Sequence, residues 1–140
     1  MLFRSPSLDG LLAGARCGLV VMHSVQQHGP ATRVDTDPDE VIRGIDAFFH
    51  ERITRLVAAG VERSRIVLDP GMGFFLGRDP ELSLRVLRGL PALRARFGLP
   101  VLVSVSRKSF LGQLTGRTVG ERAAATLATE LWAEIGRAHV

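Results

Sequence analysis

The sequence predicts an α/β domain built on parallel strands. Three observations carry that expectation. Strand-like and helix-like segments alternate along the chain. The strand-like segments are continuous apolar runs, as in sheets covered on both faces. The polar clusters of interest all follow the last apolar residue of such a run, where parallel α/β folds place their ligand sites.

The first strand is Cys17-Gly18-Leu19-Val20-Val21-Met22, closed by His23-Ser24, and a loop rich in Gln, Gly and Pro follows. Asp37-Pro38-Asp39-Glu40 then opens a helix, with Asp37 as N-cap, Pro38 at the first helical position and Glu40 completing a capping box. Its apolar positions Val41, Ile45, Phe48 or Phe49, Ile53 and Leu56 recur every three or four residues, and Gly60 ends it. Ile66 to Leu68 is the second strand. Asp79-Pro80-Glu81 caps the next helix, which Pro91 either kinks or restarts after Gly89. Gly98-Leu99-Pro100 leads into a third strand, Val101 to Val105. Thr118-Val119-Gly120-Glu121 reads as the capping box of a last helix whose Ala124, Leu127 and Leu131 stripe faces a core. Trp132, at helical spacing, is read as core too.

Composition narrows the function classes. The chain has 140 residues, one domain's worth, with 46% hydrophobic and 23% charged residues, ordinary for a soluble globular protein. The net charge of +4 comes from scattered arginines without interleaved aromatics, a solvated surface rather than a nucleic-acid footprint. The single cysteine, Cys17, excludes a disulfide framework or a cysteine zinc site and is expected to be a buried, inert thiol. No apolar run reaches the ~18 residues needed to span a bilayer and no signal-peptide pattern opens the chain, so a cytoplasmic protein without membrane partners is expected. Glycine-rich nucleotide loops, G-x-S-x-G and H-E-x-x-H are absent from the sequence.

Two strand ends carry the chemistry. Leu68-Asp69-Pro70-Gly71-Met72-Gly73-Phe74 ends a strand in a carboxylate and glycines. Asp69, stiffened by Pro70, can accept two parallel hydrogen bonds from a planar donor pair, Gly71 and Gly73 let backbone approach a flat ligand, and Phe74 offers an aromatic face. Val105-Ser106-Arg107-Lys108-Ser109 ends another strand in hydroxyls and two cations. Lys108 is the only lysine, a compact point charge in a chain that otherwise uses arginine. Lys108 can donate to a ring carbonyl or nitrogen, Arg107 can stack on a ring, and Ser106 and Ser109 flank a helix start that favours an anion. Taken singly, each motif reads as a solvated turn; their pairing at two strand ends reads as a ligand site. His23 and His28 read as hydrogen-bonded core or loop histidines rather than metal ligands.

Together with Val21-Met22-His23, these paired motifs resemble the dihydropteroate synthase family, over roughly residues 10 to 134. The resemblance implies a partial (β/α)8 barrel containing strands like the fifth to seventh of that fold. It implies joining of 4-aminobenzoate to hydroxymethyl-dihydropterin pyrophosphate, with release of pyrophosphate and use of Mg²⁺, in a homodimeric parent. By motif, Met22, Asp69, Gly73, Lys108 and Arg107 would contact the pterin, and Phe74, Ser106 and Ser109 the aminobenzoate. The chain departs from the family's usual Gly-Phe-Gly-Lys at Gly73-Phe74-Phe75-Leu76-Gly77, and Ser104 stands where glycine is common. A pterin-dependent methyltransferase barrel shares the pterin motif but does not need the serines of Ser106-Arg107-Lys108-Ser109. A non-catalytic paralogue or partner subunit is the third reading, prompted by the Phe75-Leu76 departure.

The metal-binding asparagine loop of that family is not in the sequence, so no metal ligand is expected within the chain. Arg137-Ala138-His139 looks like the family's pyrophosphate-gripping motif, but the chain from Ala128 to Arg137 is too short to finish a helix, turn and cross a strand. Leu2-Phe3-Arg4-Ser5 and Ile135 to Val140 translate the ends of a common sequencing adapter, so residues 1–5 and 135–140 are expected not to be native. Three strands cannot close a barrel, and the isolated chain is expected not to fold by itself.

Overall fold

The computed structural model describes residues 6–25 and 37–138. His28 and His139 lie outside the described residues. The order is α1 (Pro6–Gly14), β1 (Leu19–Met22), α2 (Pro38–Ala58), β2 (Ile66–Asp69), α3 (Pro80–Phe97), α4 (Ser109–Thr115) and α5 (Ala123–Ala138). β1 and β2 pair in parallel with Leu19, Val20, Val21 and Met22 opposite Ile66, Val67, Leu68 and Asp69. On its other side β2 receives the Val101 segment: Leu68 donates to the Pro100 carbonyl at 2.9 Å and its own carbonyl accepts from Leu102 at 2.7 Å.

That contact is a single bridge, Leu68 to Val101, rather than the five-residue third strand expected for Val101 to Val105. The reason is chemical. The next ladder bond would need an N–H from residue 70, and Pro70 has none. A cleft of about 270 Å³ lined by Val101, Leu102, Val103, Val105, Glu130, Ala133 and Glu134 separates this segment from α5.

The helices bear out much of the spacing argument. α2 buries Val41, Ile45, Phe49, Ile53 and Leu56 along one stripe, and Arg52 beside them. Asp37 caps it by accepting from the Asp39 N–H at 2.7 Å, and Gly60, at φ 98°, turns the chain out of the helix. α3 is capped by Asp79 and buries Leu82, Ser83, Val86, Leu87, Leu90 and Phe97. Pro91 neither breaks nor restarts it; the helix runs continuously to Phe97. These stripes pack with Ile66, Leu68, Phe110 and Leu111 into one core against one face of the sheet.

Several expectations are corrected. α1 was not foreseen; Arg65 ties it down by donating to the carbonyls of Leu12 and Cys17, both at 2.9 Å, and Asp9 meets Arg55 at 2.6 Å. Cys17 is exposed rather than buried, because it lies in the bend before β1 begins. The Thr118–Glu121 capping box exists, but it caps a 3₁₀ turn, Val119–Glu121, and α5 starts afterwards at Ala123. α5 meets the core through Ala125 and Ala133. Ala124, Leu127, Leu131 and Trp132 face outward instead, the last three between 45% and 58% exposed.

The sheet is also covered on one face only. Val20, Met22 and Leu102 are 49%, 42% and 44% exposed on the other. Open apolar faces on both sheet and α5 are surfaces for association. The isolated chain is therefore expected to bind a hydrophobic dye and to sediment as oligomers. A cooperatively unfolding monomer in sedimentation velocity and thermal melts would contradict this.

Candidate functional site

The site forms at the C-terminal ends of the strands, where pairing stops and side chains meet solvent. Parallel register alone places Met22 beside Asp69. Asp69 is buried, at 7% exposure, and its Oδ1 accepts from the Gly71 N–H at 2.9 Å. Burial pushes its carboxyl above the usual carboxylate range, while the Gly71 hydrogen bond and the positive charge of Lys108 pull the other way.

His23 locks this strand end from the β1 side. Its N–H donates to the Asp69 carbonyl at 2.8 Å, and its Nδ1 lies 3.3 Å from the Pro70 carbonyl, so Nδ1 carries the proton. Its ring meets Phe48 edge-on. It is the hydrogen-bonded core histidine that the sequence suggested. Burial pulls its pKa down to about 4, against a smaller raising effect of the Pro70 bond. Gly71 sits so close that a Cβ there would lie 2.6 Å from the His23 carbonyl oxygen, and its φ is 78°.

The second motif is brought against the first by Gly73. At φ 63° its Cα faces the other motif: a Cβ there would lie 3.4 Å from Ser109 Oγ and 3.7 Å from Lys108 Cβ and Cδ. Its N–H is held by the buried Ser83 hydroxyl at 3.1 Å. The Lys108 ammonium lies 5.2 Å above the Phe75 ring, a cation–π contact. The residues at which the chain departs from the family's usual loop are thus structural: Phe75 carries the ammonium and Leu76 is fully buried.

Of the residues expected from sequence, Asp69, Gly73, Lys108 and Ser109 are drawn together at this rim, with Met22 on the open sheet face beside Asp69. Phe74, Ser106 and Arg107 are exposed around it. Sequence reasoning missed Ser83, Phe75, Arg122 and Thr126. Ser83 alone left a signal, a hydroxyl on the buried stripe of α3. Among the described residues no three His, Cys, Asp or Glu side chains converge on a common point. These residues therefore offer no three-ligand cage for a metal ion. No helix among them is long and apolar enough to cross a membrane.

A parallel β/α framework with a carboxylate at a strand end and an ammonium beside it defines part of an α/β barrel with a polar rim. The chain matches the pterin binding enzymes over residues 3–139, and it belongs to that family. It is 57% identical over 127 residues to the type-2 dihydropteroate synthase of Escherichia coli, covering 91% of this chain and 46% of the relative. With the type-3 enzyme of Escherichia coli the identity is 53% over 131 residues, covering 94% and 50%. Among solved structures, Yersinia pestis dihydropteroate synthase with a pterine-sulfa conjugate superposes with a TM-score of 0.78 at 31% identity, covering 96% of this chain and 48% of that one. The Xanthomonas albilineans enzyme with 4-aminobenzoic acid gives 0.78 at 34%, covering 95% and 45%. The fold is thus a partial (β/α)8 barrel, and the chain spans about half the length of the curated relatives it matches.

Two outcomes follow for a barrel in which this chain replaces the matching half of the type-2 enzyme. Gly71→Ala is expected to destabilise it by more than about 2 kcal/mol in urea titration, since a left-handed backbone and a backbone clash add. His23 has a folded pKa near 4 against 6.5 unfolded, so the unfolded state binds the extra proton. Stability is then fully present above pH 6.5 and is lost as pH falls toward 4, by about 3 kcal/mol. Urea midpoints across that range should flatten in His23→Gln.

Proposed function

We propose that this chain supplies the pterin grip and part of the aminobenzoate site of a dihydropteroate synthase. The observation that carries the reading is the convergence of Asp69 and Lys108 at one rim, joined through Gly73. The names of the relatives and the ligands in the solved structures support it.

In this reading the Asp69 carboxylate accepts two hydrogen bonds from the amino-pyrimidine edge of the pterin. A buried carboxylate is a costly group on its own, and a two-point donor offsets its lost hydration. Lys108 donates to the ring carbonyl or nitrogen, Met22 and Gly73 line the slot, and Arg107 covers it. Phe74, Ser106 and Ser109 take the aminobenzoate. The aniline nitrogen then attacks the methylene carbon, forming C–N as the C–O bond to pyrophosphate breaks. Pyrophosphate leaves with the electron pair and the amine loses a proton. The chemistry asks these residues for orientation rather than for covalent participation. Mg²⁺ and the groups that hold it belong to parts of the parent barrel outside the described residues, so no step here runs through the metal. A homodimeric, cytoplasmic parent completes the proposal.

Placed in the matching half of the type-2 enzyme, the chain is expected to support incorporation of aminobenzoate into dihydropteroate. Lys108→Ala and Asp69→Ala should each lower kcat/KM about 10- to 100-fold, the cost of a lost charge-assisted hydrogen bond. A folded barrel without product, or unchanged activity in both variants, would overturn the assignment. Because the Asp69 pKa is raised and the carboxylate is the accepting form, pterin affinity should climb as pH rises through that pKa. Fluorescence titration with pteroic acid reads the inflection.

A further inference from the structure

We infer that Arg122 and Thr126, at the start of α5, are positioning residues that hold the Arg107 peptide in a left-handed conformation and so aim Lys108. The inference rests on the pterin reading of Lys108 and extends the site to residues that meet the rim through its backbone alone.

Arg107 is the one non-glycine residue with positive φ among the described residues, at 51°. A left-handed arginine costs about 1–2 kcal/mol and persists only where its surroundings enforce it. Here both polar groups of its backbone are engaged, by Thr126 in the first turn of α5 and by Arg122 just before it. The Arg107 N–H donates to Thr126 Oγ1 at 3.0 Å, and its carbonyl accepts from Arg122 Nη1 at 3.1 Å. The same Nη1 lies 3.3 Å from the Lys108 carbonyl, and Arg122 Nε donates to the Arg117 carbonyl at 3.1 Å. One guanidinium therefore ties together three carbonyls on either side of α4. The two clamp residues sit one turn apart, and Thr126 N–H donates to the Arg122 carbonyl at 2.8 Å.

Gly112 completes the device. A Cβ at this position would fall inside the Arg122 guanidinium. The absence of a side chain there is what lets the guanidinium reach the Arg107 and Lys108 carbonyls. Downstream of the clamp, Lys108 donates its own N–H to the Val105 carbonyl at 3.2 Å and lays its side chain along Gly73 toward Phe75. Released into an ordinary right-handed or extended conformation, residue 107 would swing Lys108 away from Gly73 and Asp69. The clamp thus acts on direction and not on charge.

The test uses the chain in the closed barrel, with pteroic acid as the probe. Arg122→Lys and Gly112→Ala are each expected to weaken binding about tenfold. Gly112→Ala is informative because alanine favours the helical backbone of α4, so a purely structural effect points the other way. Thr126→Val should weaken binding and Thr126→Ser should restore it. In an Arg107→Gly background, where positive φ costs nothing, Arg122→Lys should cause little further loss. Equal losses from Arg122→Lys with and without the Arg107→Gly change, or unchanged affinity in Arg122→Lys and Gly112→Ala, would overturn the proposal. If the parent barrel itself fails to bind pteroic acid, the pterin reading falls and the clamp is judged separately. The Arg107 HN–Hα coupling and amide exchange report its conformation without ligand; both should change in Arg122→Lys and in Thr126→Val, and constancy in both variants would overturn the clamp.

Discussion

A parallel ladder centred on Leu68 organises the molecule. Its side chain is fully buried, its Cα pairs with Val21 on one side and Val101 on the other, and its N–H and C=O both serve the Val101 segment. Two residues later the ladder meets Pro70, which cannot donate. The chain must leave the sheet there, and Asp69 becomes the last paired residue. The strand therefore ends abruptly, with a carboxylate at the point where ordered backbone gives way to open space. The two motifs of the site and the packing of α2 and α3 are all positioned relative to that ending.

The energetic consequence is a carboxylate held where water reaches it poorly. The Gly71 N–H and the nearby ammonium only partly offset burial, so its pKa stays raised. Such a group is unfavourable for stability and useful for binding, because a ligand bringing two donors recovers what hydration lost. The surroundings keep the carboxylate from relaxing away. His23 binds the Asp69 and Pro70 carbonyls, Gly71 fits under the His23 carbonyl without a Cβ, and Ser83 holds Gly73 from α3. Rigidity at this rim comes from neutral hydrogen bonds and close backbone contact.

Much of this was legible in the residues. The α2 stripe, the Asp37 and Asp79 caps and the pairing of Asp69 with Lys108 all follow from local pattern and from chemistry at strand ends. What failed shares a cause. Leu127, Leu131 and Trp132 carry a helical apolar period, yet periodicity says only that a face wants cover, not that this stretch of chain provides it. The shortness of the third strand is not legible, because an apolar run says nothing about whether its neighbour can donate. The exposure of Cys17 is not legible from its apolar neighbours, because they do not show where β1 begins. Ser83, Phe75, Arg122 and Thr126 stayed hidden because each acts on a residue distant in sequence.

By itself the sequence determined the kinds of element, their order, the two strand ends that bear chemistry and the resemblance to a family. These depend on residue type and short spacing, which survive in a linear string. Only the tertiary structure decided that Gly73 is the hinge between the two motifs, that Phe75 supports the ammonium and that α5 clamps a left-handed Arg107. Those are contacts between backbone atoms and side chains from separate elements. Their geometry exists only once parallel pairing has set the strands in register and packing has set the helices upon them.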